Sequence, residues 1–171
     1  MFHGLKLRAC SLIFPLSWVL LPMVVQAEGS PAWQLAVTDS NTNTLARISL
    51  PASARWCLVW NHSVQGFPVV DCFRAEGGQL FLDSSQTPDF AAGLGHISGR
   101  GTLESDNQHG YRIVDMNVPI TNNALRLRVG SDSVNHRIKV DSHIVSLSRL
   151  AANKRVEIRL VAVGEQGIEF Q

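Results

Sequence analysis

Three stretches decide the fold: Trp56-Cys57-Leu58-Val59-Trp60-Asn61-His62, then Val69-Val70-Asp71-Cys72-Phe73-Arg74, then Gln79-Leu80-Phe81-Leu82-Asp83. Each is short, rich in β-branched or aromatic side chains, and bounded by turn formers. Gln65-Gly66-Phe67-Pro68 joins the first to the second, and Gly77-Gly78 reverses the chain into the third. Glycine supplies the positive φ such turns require, and proline presets an extended entry. Three strand-like runs in succession, with no helical spacing between them, predict an antiparallel meander.

The same rhythm extends in both directions. Trp33-Gln34-Leu35-Ala36-Val37 alternates, Asp39-Ser40-Asn41-Thr42-Asn43 is a turn cluster, and Leu45 to Leu50 runs up to Pro51. Beyond the meander, Tyr111 to Val114 reads as a strand. Leu125, Leu127 and Val129 alternate with Arg126 and Arg128, Ile138 and Val140 with Arg137 and Lys139, and Val156, Ile158 and Leu160 with Glu157 and Arg159. Each of these strands has one apolar and one wet face. Helical spacing occurs only over residues 146–153, where Leu147, Leu150 and Ala151 fall on one side. The expectation is an all-β fold: a single antiparallel β-sandwich or partly open barrel with at most one short helix. Residues 84–110 break the pattern, with Gly93, Gly95, Gly99, Gly101 and Gly110 marking one long Gly-rich loop.

The N-terminus reads as an export signal over residues 1–27, leaving residues 28–171 as one β-rich domain. Lys6 and Arg8 precede an apolar run from Ser11 to Val25, and Val25-Gln26-Ala27 offers a cleavage site. The run falls short of a bilayer span and contains Pro15 and Pro22. The expected location is the periplasm; the alternative is an uncleaved segment anchoring the domain in the inner membrane, facing the periplasm. Lys+Arg 15 against Asp+Glu 14 leaves no basic field for nucleic acid. The mature chain keeps Cys57 and Cys72, which flank the predicted hairpin. An oxidising compartment favours a disulfide between them, the other reading being two buried thiols.

Residues suited to binding gather in Trp60-Asn61-His62-Ser63-Val64, Phe67-Pro68-Val69-Val70-Asp71 and Asp89-Phe90-Ala91-Ala92-Gly93-Leu94-Gly95. Here the sequence resembles a bacterial family of exported domains, the "domain of unknown function" family eighteen-fifty. The resemblance runs on through Leu127-Arg128-Val129 to His136 and covers roughly residues 33–162. The family's acidic position is more often Glu, whereas this chain carries Asp71. Its genes typically neighbour TRAP transporters of the TAXI type, so the resemblance implies a transport-linked setting and no particular reaction.

Two readings of the hairpin compete. A hydrolase triad of His62, Ser63 and Asp71 is disfavoured, because adjacent strand residues point to opposite faces and no Gly-x-Ser-x-Gly elbow is present. A cross-strand His62–Asp71 pair, either structural or ligand-contacting, is the simpler expectation. In the glycine loop, Asp89, His96 and Arg100 sit among exposed N–H groups that could cradle an anion. A metal site from His62, Asp71, His96 and His136 lacks diagnostic spacing, so no metal, cofactor or catalytic residue is expected. Arg126 and Arg128 with Arg137 and Lys139 suggest one basic sheet face.

The candidate ligand- or partner-binding residues are therefore His62, Ser63, Asp71, Phe90, Gly93, Gly95, His96 and Arg100. The leading expectation is a periplasmic accessory of a TAXI-type TRAP uptake system that contacts the membrane subunit, its solute-binding protein or a small polar solute. The alternative is a free-standing envelope module binding a small polar or anionic ligand, with a hydrolase third.

Overall fold

The central hairpin sets the frame. Strands β3 (Arg55–Asn61) and β4 (Pro68–Glu76) pair antiparallel, with Asn61 opposite Pro68 at the tip and Arg55 opposite Arg74 at the base. Because side chains alternate, Trp56 and Leu58 point to one face together with Phe73 and Val69, all four buried. Trp56 and Phe73 lie directly opposite and stack, their ring centroids 4.4 Å apart. The other face carries Cys57 opposite Cys72, with Cα atoms 4.0 Å apart and the two sulfurs bonded. That spacing is the close approach of a non-hydrogen-bonded cross-strand pair.

This computed structural model describes residues 33–89, 99–106 and 110–164. The expected signal segment and Phe90, Gly93, Gly95 and His96 of the glycine loop lie outside the described residues.

All pairings are antiparallel. The larger sheet runs β11-β10-β3-β4-β5-β7-β6, with β8 also paired to β5. Its further members are β5 (Gln79–Thr87), β6 (Thr102–Asp106), β7 (Gly110–Val114), β8 (Val118–Pro119), β10 (Arg137–Val140) and β11 (His143–Ser146). The smaller sheet runs β2-β1-β12-β9, from β1 (Trp33–Asp39), β2 (Thr44–Ser49), β9 (Ala124–Arg128) and β12 (Arg155–Ala162). Leu35, Val37, Ile158 and Leu160 of the smaller sheet form one core cluster with Trp56, Leu58, Phe73, Leu80, Ile138 and Val140 of the larger. The fold is a β-sandwich, as the alternation implies.

A short helix, α1 (Leu147–Ala151), follows β11. Ser146 caps it by accepting a hydrogen bond from the Arg149 N–H, and Leu147 and Ala151 plug into the core. Among the described residues no helix is long and apolar enough to cross a membrane.

The long loop expected over residues 84–110 is shorter than the sequence suggests. β5 continues to Thr87, and β6 occupies Thr102–Asp106. Ser84-Ser85-Gln86-Thr87 has no apolar alternation, yet β4 pairs with its first three residues and β7 with its last three. Backbone pairing on both sides overrides a weak side-chain pattern. Gly101 and Gly110 serve close packing, since a Cβ on either would strike backbone: Val114 for the first, Pro88 and Thr87 for the second.

A bulge in β5 has a further consequence. Cys72 faces Ser84 and Phe73 faces Leu82, which leaves Asp83 as the extra residue. It accepts from Arg55 Nη1 at 2.6 Å and from Arg74 Nε at 3.0 Å. Asp83 thus bridges two arginines that face each other across β3 and β4, and Glu76 supplies a second carboxylate to Arg74.

Candidate functional site

The hairpin tip is rigid by construction. His62 N–H donates to the Phe67 carbonyl and Gly66 N–H to the His62 carbonyl, both at 2.8 Å. The His62 Nδ1 accepts from the backbone N–H of Gln65 at 3.1 Å and, more weakly, from that of Val64 at 3.4 Å. Its ring stacks on Phe67, centroids 5.3 Å apart. An acceptor at Nδ1 places the proton of the neutral ring on Nε2. Ser63 is exposed, and Val64, at the apex, is 86% exposed.

A second loop braces this tip. Asn61 N–H donates to the Val134 carbonyl at 2.6 Å, and Asn61 Nδ2 to that of Ser133 at 3.0 Å. Trp60 stacks on His136 at 6.0 Å, while His136 Nδ1 accepts from Gly130 N–H at 3.0 Å. Ser148 closes the assembly: its Oγ accepts from His136 N–H and lies 3.0 Å from the Gly130 carbonyl. Burial holds the His136 imidazole below its ordinary pKa, in the neutral form that this acceptor role needs. We expect His62→Ala to cost about 1 kcal/mol, the scale of a lost hydrogen bond. Amide exchange at Val64 and Gln65 should rise more than elsewhere in β3 and β4.

His62 and Asp71 do not pair. The register puts Asp71 opposite Leu58, four residues before His62, which is about 13 Å along the strand. Asp71 instead points to the inner face, where its Oδ1 accepts from Ser85 Oγ at 2.5 Å. Burial pushes its carboxyl up to about 6, only partly opposed by the Ser85 hydrogen bond. Among the described residues no cation offsets it, so Asp71 is a largely enclosed acid held by a hydroxyl and not by an ion pair. Ser85 lies in a polar run with no apolar alternation, so its place opposite Asp71 follows only from the register.

Arg100 is exposed and precedes β6, whose first residue, Thr102, pairs with Val114. The hairpin tip is level with the other end of that ladder, where Asp106 pairs with Gly110. His62 and Arg100 therefore stand toward opposite ends of the larger sheet and do not form one site. The expected basic face also separates: Arg126 and Arg128 lie on β9 of the smaller sheet, Arg137 and Lys139 on β10 of the larger. Among the described residues no three His, Cys, Asp or Glu side chains converge as metal ligands.

Nor do the described residues assemble a nucleophile with a base. Ser63 sits on the exposed turn, and the His62 Nδ1 is committed to the turn's own amides. The Ser85 hydroxyl is committed to Asp71. What remains is a hydrogen-bonded hairpin tip with an exposed aliphatic apex, and a largely enclosed acid farther along the inner face of the same hairpin.

The family described as "Domain of unknown function (DUF1850)" matches residues 57–147, from the disulfide strand to the first residue of α1. The chain belongs to this family. No curated protein and no solved structure matches it. The matched segment contains the hairpin from Cys57 onward, its bracing loop, and both Asp71 and Ser85.

Proposed function

We propose that this is an exported accessory protein of a TAXI-type TRAP uptake system, working in the periplasm by binding and not by chemistry. Its partner is the membrane subunit or the solute-binding protein of the transporter. The observation that carries the binding role is Val64, an almost fully exposed aliphatic side chain on a loop that is already held rigid. A preordered loop loses little conformational entropy on docking, which favours its use as a contact point. The Cys57–Cys72 bond fits an oxidising compartment and so supports export. The link to transport is the setting that the family resemblance implies.

The test is a chromosomal deletion combined with affinity purification of a tagged copy from the membrane fraction. Reduced solute uptake, with co-purification of a transporter subunit, is the expected result. Unchanged uptake together with no association removes the proposal.

A further inference from the structure

Twice in this molecule two arginines face each other directly across paired strands. Arg55 opposes Arg74 in the larger sheet, and Arg128 opposes Arg155 in the smaller one. Like charges so placed repel. In the first pair Asp83 bridges both guanidinium groups and Glu76 pairs with Arg74 as well. In the second, no acid among the described residues forms an ion pair with either arginine.

The nearby carboxylates are occupied elsewhere. Asp39 accepts from the backbone N–H groups of Asn41 and Asn43 and from Asn43 Nδ2, and these bonds hold its pKa below the usual carboxylate value. Glu157 accepts from Arg126 Nε at 2.8 Å and from Arg159 at 2.6 Å. These groups border an open groove of about 530 Å³ that also presents Thr38, Ser40 and Thr42. Such a volume suits a small molecule.

We propose that this groove binds the carboxylate or phosphate group of a small free anion between Arg128 and Arg155. The bound anion would do in the smaller sheet what Asp83 does in the larger. A guanidinium fork can pair with two oxygens of a carboxylate or of a phosphate group, and the three hydroxyls can donate to further oxygens. A free solute is favoured over a membrane surface because none of the large exposed hydrophobic side chains of the described residues lines the groove. The site is separate from the hairpin tip and does not depend on the transporter reading.

Calorimetric titration and thermal unfolding of the purified protein test this, with citrate and tripolyphosphate as probes against sodium chloride at equal ionic strength. Matching ionic strength removes general screening. At least one probe should bind and raise Tm beyond the chloride control. Arg128→Gln and Arg155→Gln should each weaken that binding about tenfold, the loss of one charge-assisted hydrogen bond. Lys139→Gln, on the other sheet, should leave it unchanged. Without any anion, Arg155→Gln should melt no lower than the parent, because a repulsion has been removed. Three results overturn the proposal: neither probe exceeding chloride, the double glutamine variant binding like the parent, or binding only to phosphatidylglycerol vesicles and to neither free anion.

Discussion

Asp71→Asn should stabilise the protein at neutral pH, by about 2 kcal/mol. In the folded state the Asp71 carboxyl is pushed from 3.8 up to about 6 by burial. Between those values the folded protein holds a proton that the unfolded chain has released. Stability therefore falls as pH rises through this window and stays reduced above it. At about 1.4 kcal/mol per pH unit, the full cost of ionising Asp71 is about 3 kcal/mol. Asparagine carries no charge and can still accept from Ser85 Oγ, although its amide N–H₂ gains no assured partner, which reduces the benefit. The gain should be present at pH 7.5, shrink as pH falls through the folded value of about 6, and vanish only below 3.8, where Asp71 becomes protonated in both states.

His136 acts in the opposite sense and makes the comparison sharper. Its folded pKa lies below 6.5, so the unfolded chain takes up a proton first as the solution is acidified. Stability from this group is lost as pH falls through that range. The parent protein has the two effects partly cancelling; Asp71→Asn exposes the histidine alone and should lose stability steadily toward pH 5. Denaturant titrations at several pH values check both signs. Equal pH profiles for the two proteins would show that Asp71 ionises normally. A stabilised variant that no longer supports uptake would mark Asp71 as retained for binding at the expense of stability.

The second large effect is loss of the Cys57–Cys72 bond. The cysteines are 15 residues apart, and closing a loop of that size constrains the unfolded chain by about 3 kcal/mol. Replacing both by alanine should lower Tm by about 10 °C, and added dithiothreitol should do the same to the parent while leaving the variant unaffected. An identical Tm with and without reductant, once thiol titration has verified reduction, would deny the bond a stabilising role.

Much of the architecture is legible in the sequence, and the reasons are specific. Leu125-Arg126-Leu127-Arg128 and Val156-Glu157-Ile158-Arg159 alternate strictly because one side of each strand meets the core, so the period-two signal is strong. Leu147 and Ala151 show the helix for the same reason. The polar end of β5 was not legible: Ser84, Ser85 and Thr87 are buried in a strand held by backbone pairing, where the side chains carry no apolar signal. Composition could not reveal that Arg126 and Arg137 belong to different sheets, since sheet membership is a matter of topology.

The site was legible as a segment but not as a geometry. The hairpin and its histidine were recognisable, whereas their relation to Asp71 depends on register. With Asn61 facing Pro68, each residue of β4 has a fixed partner, and Asp71 falls opposite Leu58 on the inner face. The role of His62 as an acceptor for its own turn depends on the ring lying over the Gln65 N–H, which no spacing rule encodes.

The central claim, that the braced hairpin tip docks onto a transporter component, is tested most directly by photo-crosslinking in living cells. A crosslinking amino acid would be placed at Val64, with Ile144 as the control, since both side chains are exposed while one lies in the β3–β4 turn and the other on β11 at the edge of the larger sheet. The expected outcome is an adduct from Val64 to the TRAP membrane subunit or its solute-binding protein, with none from Ile144. Capture from Ile144 alone, or from neither position while the protein is present at normal abundance, would contradict it.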